Sequence, residues 1–219
     1  ACYRRAVAIK PNDAQIQANL GNALLSLGRY DDAVATYRRG VECDPHEVKV
    51  RANLGVALKE QGRYEAAVEE LLATVVRAPT YADAHWNLAL VQLLSGDFKN
   101  GWFEFEWRRR ISGFPMGHPD APGWEGEANG NATLLVHAEQ GLGDTIQFVR
   151  YLRPLMGRAN HVLFQCPEAL KPLLAGVNEL ATVVGGDRDP PPFDVHAPLM
   201  SLPYLLGLED PYWPEAGAY

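Results

Sequence analysis

The residues best suited to chemistry lie in the stretch HAEQGLGDTIQF, residues 137–148. Asp144 offers a carboxylate at the start of a predicted helix, where it is either a cap for the backbone or a general base. Glu139, Gln140 and Thr145 can hydrogen-bond a polar ligand, or serve the turn itself. Gly141 and Gly143 remove side chains from the path of an approaching ligand, and the helix that follows presents free N–H groups. His137 and, further along, His196 titrate near neutrality; both are candidates to line the same site or to be structural, hydrogen-bonded histidines. No Lys-Ser or Lys-Thr follows the glycines, and Ile146 stands where the third glycine of G-x-G-x-x-G would be, so the turn is neither a Walker loop nor a full dinucleotide fingerprint. A second polar set, Asn19, Asn53 and Asn87, recurs every 34 residues. A primary amide both donates and accepts, which suits the binding of another polar group; the plain alternative is a feature of a repeat consensus.

Elements must position these groups. TLLVHA (133–138), HVLFQC (161–166) and LATVVGG (180–186) read as short apolar strands, with a further strand at FDVHA (193–197). Helices are predicted over 141–155, over 167–177 and from 201 to 207, with Ser201 as the cap of the last. Strands alternating with helices predict a parallel sheet covered on both faces, an α/β three-layer domain over 132–219. Ligands in such folds bind at the carboxyl ends of strands, where the 139–145 turn falls.

Upstream the chain has another character. Pro11, Pro45 and Pro79 are 34 residues apart, as are Asn19-Leu20-Gly21, Asn53-Leu54-Gly55 and Asn87-Leu88-Ala89. LGRYDDAV (27–34) and QGRYEAAV (61–68) repeat at the same distance, with SGDFKNGW (95–102) a looser copy. Small residues at 21, 55 and 89 let one helix approach the next, and Ala33 and Ala67 answer from the partner helix. Gly28, Gly62 and Gly96 break the chain between helices. Period and pattern resemble the tetratricopeptide repeat, which implies an all-α solenoid over 1–110, helix pairs stacked side by side, and a protein or peptide partner in its groove. YRRAVAIKP (3–11) aligns with YRRGVECDP (37–45), so residues 1–10 are expected to be the second helix of a repeat that begins upstream, in a parent protein with more repeats. Residues 111–131, rich in Gly and Pro, read as a connector. Trp102, Phe103, Phe105 and Trp107 are expected to seal the last repeat against the following domain, and Arg108, Arg109 and Arg110 to form a solvated helix end.

From GWFEFEWRRR through PGWEGE, LLVHAEQGLGDTIQFVRYL and FDVHAPLMSLP to the closing PYW, the chain resembles bacterial tetratricopeptide proteins that carry a glycosyltransferase-like domain. The turn with its aspartate is similar to the first lobe of the heptosyltransferases, two-lobed (GT-B) enzymes. The order of domains is similar to the O-linked N-acetylglucosamine transferases, from which no catalytic residue is carried over. The resemblance implies that Asp144 is the base for an acceptor hydroxyl, that His137, Glu139, Gln140, Gly141, Gly143, Thr145 and His196 line the acceptor cleft, and that Asn19, Asn53 and Asn87 grip a peptide. It implies a Rossmann-like lobe for 132–219, a glycan or protein acceptor, and a nucleotide-sugar donor held mainly by a second lobe of the full-length parent. Residues 1–219, one lobe long after the repeats, are then expected to hold no cofactor and to be inactive alone. The alternative is a non-catalytic interaction scaffold with a degenerate lobe.

Composition narrows the field. Residues 1–110 carry net charge +1 and residues 111–219 carry −8, so neither half is the basic surface that nucleic acid requires. Cys2, Cys43 and Cys166 are scattered without C-x-x-C spacing, and His46, His85, His118 and His161 lack metal-ligand spacing; no metal site is expected. There is no apolar run of membrane-spanning length and no signal-peptide core, so a cytoplasmic location is expected and the sequon at Asn131 is read as chance.

Overall fold

The computed structural model describes residues 2–114, 117–186 and 188–209. The PYW motif at 211–213 lies outside the described residues. The chain divides into two compact units, Ala1–Ile111 and Ser112–Tyr219.

The first unit is a run of helices: α1 (Cys2–Ile9), α2 (Ala14–Ser26), α3 (Tyr30–Cys43), α4 (Val48–Glu60), α5 (Tyr64–Arg77), α6 (Ala82–Ser95) and α7 (Phe98–Phe105), closed by a 3-10 turn at Glu106–Arg110. Each helix packs on its sequence neighbour, and the first helices of successive pairs also touch, α2 with α4 and α4 with α6. Local chemistry sets the period. Asp13 caps α2 by accepting from the Ile16 N–H at 3.0 Å. Gly28, Gly62 and Gly96 take φ of 69°, 73° and 87°, the left-handed conformation that ends a helix within a pair. Between pairs the proline acts on the residue before it: Asp44 (φ −142°, ψ 97°) and Ala78 (φ −129°, ψ 75°) leave the helical region ahead of Pro45 and Pro79. Inside the pairs, a Cβ on Gly21 would stand 2.5 Å from the Tyr37 ring and one on Gly55 2.6 Å from Leu71. Ala33, Ala67 and Ala89 are fully buried opposite such contacts, as are Leu71 and Leu88.

The second unit holds a four-stranded, all-parallel sheet in the order β3-β2-β1-β4. Its strands are β1 (Asn129–His137), β2 (Ala159–Cys166), β3 (Thr182–Gly185) and β4 (Val195–Pro198). Leu134, Leu135 and Val136 of the central β1 are fully buried, as the middle strand of a parallel sheet with both faces covered requires. Helical structure is shorter than the sequence pattern predicts. The segment 141–155 splits into α8 (Leu142–Phe148) and a 3-10 turn (Val149–Leu155), and 167–177 forms only 3-10 turns at Glu168–Leu170 and Ala175–Glu179. Pro154 and Pro172 explain this, since each removes the N–H that an α-helix would need. The last helix is one turn, α9 (Leu202–Leu205); Ser201 sits at its N-cap position but its side chain makes no capping bond.

Residues 117–128 are irregular yet bound to this sheet. The His196 N–H donates to Pro122 O at 2.9 Å and the Trp124 N–H donates to His196 O at 2.8 Å, which covers the outer edge of β4. Trp124 is buried and its indole N–H donates to Glu127 O at 2.8 Å. Gly126 (φ 97°) lies so close to the Leu205 carbonyl that no Cβ fits.

Candidate functional site

In the sheet, β1 leads to β2 on one side, whereas β4 returns to the other side of β1. The order therefore reverses between β1 and β4, and the carboxyl ends of these two strands flank the crevice that open α/β sheets use for ligands. His137 is the last residue of β1 and His196 lies in β4; the backbone register brings them together across the ladder. Their Nε2 and Nδ1 atoms are 3.1 Å apart, a shared hydrogen bond between two buried rings. A third imidazole joins them. His118 turns its ring edge to both, with centroids 5.4 Å and 5.8 Å away, and its Nε2 meets Gln165 Oε1 at 3.0 Å. Gly117 (φ 63°) passes its main chain directly over the His137 ring, with no space for a Cβ. Sequence spacing gives no sign of His118, because the segment that carries it has no periodicity.

The turn after β1 is anchored at one end. Glu139 Oε2 accepts from the Met200 N–H at 3.1 Å, tying the end of β1 to the chain that leaves β4. Gln140 is exposed. Gly141, not Asp144, occupies the N-cap position of α8, with φ −62° and ψ 167° and no side-chain cap. Asp144 stands in the first turn of α8, half-buried. No described residue hydrogen-bonds its carboxylate; the place a Cβ on Gly141 would take is 3.6 Å from Oδ2. Thr145 is buried and donates its hydroxyl to Gly141 O at 3.2 Å, so it holds the turn. Neither glycine is demanded by the backbone: both lack positive φ, and a Cβ on Gly143 would meet nothing within 4 Å. The turn thus combines an anchored base, an open approach and one carboxylate with unused acceptor capacity, groups that can accept protons or hydrogen bonds from a polar ligand.

In the repeat unit, Asn19, Asn53 and Asn87 are half-buried at equivalent places on α2, α4 and α6. Their amides are tied differently. Asn19 Oδ1 accepts from Gln15 Nε2 at 3.4 Å. Asn53 Nδ2 donates to Asn22 Oδ1 at 3.1 Å, across to the neighbouring first helix. Asn87 Nδ2 donates to Asp83 O at 2.7 Å, one turn back in its own helix. Asn22, which the sequence pattern does not single out, also takes the Tyr37 hydroxyl at 2.5 Å. Burial pushes the Tyr37 phenol up to about 12.

Trp102, Phe105 and Trp107 make ring contacts inside the repeat unit. Trp102 meets Phe105 edge-on at 5.6 Å, Phe105 lies 4.9 Å from Trp86 of α6, and Trp107 stacks on His85 at 3.8 Å. His85 is buried, with Nδ1 2.5 Å from Glu104 Oε2 and Nε2 3.1 Å from Pro79 O, a structural histidine. The basic run is not uniformly solvated: Arg108 is 1% exposed and paired with Glu106 Oε1 at 2.6 Å, because its neighbours on this turn supply acceptors. Among the described residues, no His, Cys, Asp or Glu group is arranged to hold a metal ion, and no helix is long and apolar enough to cross a membrane.

Three family models of the tetratricopeptide repeat match the chain, over residues 2–35, 21–62 and 53–100. No curated protein matches it. Among solved structures, MamA is 24% identical, with a TM-score of 0.47 over 50% of this chain and 64% of that one, so this chain spans less than two thirds of MamA. The first repeat domain of Spaghetti (RPAP3), solved with the HSP90 peptide SRMEEVD, is 17% identical with a TM-score of 0.45 over 48% of this chain and 82% of that one. The Sgt2 repeat domain of Aspergillus fumigatus is 23% identical with a TM-score of 0.42 over 43% of this chain and 62% of that one. With the 34-residue period, the left-handed glycines and the small-to-large packing, the three family-model matches establish that residues 2–100 are tetratricopeptide repeats, a protein-interaction architecture.

Proposed function

We propose that this chain is an interaction protein whose repeats hold an extended peptide along α2, α4 and α6. The observation that carries this reading is the column of Asn19, Asn53 and Asn87: three half-buried amides on helices that touch in succession, α2 with α4 and α4 with α6. A peptide in extended conformation presents N–H and C=O groups at regular intervals, and primary amides pair with both. Neutral amides also fit the near-zero charge of the repeat unit, which favours recognition of backbone over charge. The test is an array of random dodecapeptides probed with the wild-type chain and with Asn53→Ala. Peptides that bind the wild type and weaken about tenfold on the variant support the reading, since one hydrogen bond is at stake. Equal signals from both would remove the asparagines from recognition.

A second reading concerns the α/β unit and rests on Asp144, a half-buried carboxylate with no described partner beside two glycines that the backbone does not require. Together with the resemblance to glycosyltransferase first lobes, it supports a Rossmann-like acceptor lobe that binds a hydroxyl-bearing ligand such as a glycan. Asp144 would be its base, Gln140 and Glu139 its hydrogen-bonding rim, and a nucleotide-sugar the donor in the full-length parent. Saturation-transfer NMR with a panel of methyl hexosides tests the binding half of this. Signals that vanish in Asp144→Asn support it, and signals that persist place the sugar elsewhere.

A further inference from the structure

The three asparagines of the column are not equivalent, and the cause lies across from Asn53, at Asn22 on α2. In the first repeat Gly21 leaves room for the Tyr37 ring, which lies against α2 and sends its hydroxyl to Asn22 Oδ1 at 2.5 Å. The same oxygen accepts Asn53 Nδ2 at 3.1 Å. An amide oxygen has two lone pairs, and both are now used. Asn22 turns its oxygen to both groups, so Asn53 presents its nitrogen to Asn22. Its Oδ1 accepts from no described residue.

The other repeats lack the hydroxyl and the second amide of this chain of contacts. Leu71 and Phe105 stand where Tyr37 does, and neither has a hydroxyl; Val56 and Leu90 stand where Asn22 does, and neither has an amide. Asn87, with no partner of that kind on α4, folds its nitrogen back onto the carbonyl of Asp83 in its own helix. Its rotamer is therefore set by its own helix, whereas that of Asn53 is set by two other helices.

We infer that Asn22 is a positioning residue: pinned by Tyr37, it holds Asn53 so that the Asn53 amide oxygen is a fixed acceptor for one backbone N–H of a bound peptide. This rests on the peptide reading of the repeats and adds a register to it. An acceptor fixed before binding avoids part of the ordering cost, so this junction anchors the peptide and the Asn19 and Asn87 contacts follow. A peptide with proline at the anchored position has no N–H to give and is excluded.

The test has two arms. In the free chain, the side-chain NH2 resonances of Asn53 are followed by 15N-edited NMR in the wild type, Asn22→Val, Asn22→Asp and Tyr37→Phe. Asn22→Val copies the residue that the second repeat already carries at this position, so the helix tolerates it, and Asn22→Asp keeps an acceptor for Asn53. The expected result is that Asn22→Val shifts the Asn53 signal upfield and speeds its exchange with water about tenfold, the loss of one hydrogen bond. Asn22→Asp should restore the wild-type signal. In the second arm, the best dodecapeptide from the random array is N-methylated at one backbone nitrogen at a time. One methyl position should weaken binding to the wild type and to Asn22→Asp about tenfold, and should cost Asn22→Val almost nothing. An Asn53 signal that ignores Asn22→Val overturns the inference while leaving peptide binding intact. The same N-methyl profile in wild type and Asn22→Val reduces Asn22 to a packing residue and also overturns it. An array in which no peptide binds the wild type sinks the peptide reading itself, and the inference with it.

Discussion

The two units obtain their order in opposite ways. In the repeats, almost every decisive contact joins neighbouring helices: Gly21 to Tyr37, Gly55 to Leu71, Asn22 to Asn53. In the α/β unit the decisive contacts are distant in sequence. Glu139 meets Met200, His137 meets His196, and His118 meets Gln165. A local, periodic fold writes its packing into spacing, and a parallel sheet does not, because its strands pair only after a crossover. The polar residues differ correspondingly. The asparagine column of the repeats is half-buried, while His137 and His196 of the sheet unit are buried beside an open turn.

The sharpest way to break either unit is to hollow its core. Leu88→Ala in the repeats and Leu135→Ala in the sheet each remove a fully buried side chain. Each should cost about 2–5 kcal/mol, read from urea unfolding followed by helix signal for the first and Trp124 fluorescence for the second. A loss below about 1 kcal/mol would mean that the site can collapse around the cavity.

Overpacking comes next. Gly21→Val drives a side chain into the Tyr37 ring and Gly117→Ala drives a methyl into His137. Both should lose about 1–3 kcal/mol, with the strained φ of 63° adding to the second. Unchanged stability in Gly117→Ala would show that the segment over the histidines is not held there.

Alkali distinguishes the units through Tyr37. Its folded-state pKa of about 12 lies above the ordinary value of 10.0, so the neutral phenol is favoured in the fold. That stability is fully present below pH 10 and is lost as pH rises through 12, on the order of 2 kcal/mol. Tyr37→Phe should flatten the decline of repeat-unit stability over this window; an identical decline in the variant would remove Tyr37 as its source.

The smallest effect is expected at Asp144. With no described partner to lose, Asp144→Asn should change stability by less than about 0.5 kcal/mol. A larger loss, seen by thermal unfolding, would make the carboxylate structural and weaken the acceptor-lobe reading.

How much of this is legible in the sequence follows the same division. The helix boundaries of the repeats follow from Gly28, Gly62 and Gly96 and from the three prolines, because each acts on its own backbone or on the residue beside it. The strands at 133–138 and 161–166 are legible as apolar runs. The helix predicted over 167–177 does not form, since the apolar spacing of Leu170, Leu173 and Leu174 suggests a periodicity that Pro172 forbids. At the site, the meeting of His137 with His196 is foreseeable from their places at strand ends. Asp144 does fall at the start of its helix, but the cap itself is Gly141. His118 and Asn22 are invisible for opposite reasons. The first sits in an aperiodic segment, and the second departs from its own repeat column, where Val56 and Leu90 stand. Such a polar departure from an otherwise apolar column is a signal that can be sought.

Peptide binding by the asparagine column of the repeats can be measured in solution. Isothermal titration of the best array dodecapeptide into the wild-type chain and into the triple variant Asn19→Ala/Asn53→Ala/Asn87→Ala tests it most directly. Saturable one-to-one binding by the wild type is expected, with a loss of at least about 100-fold in the triple variant, as several hydrogen bonds vanish together. Binding of equal strength by both would contradict it and place the partner on another face of the repeats.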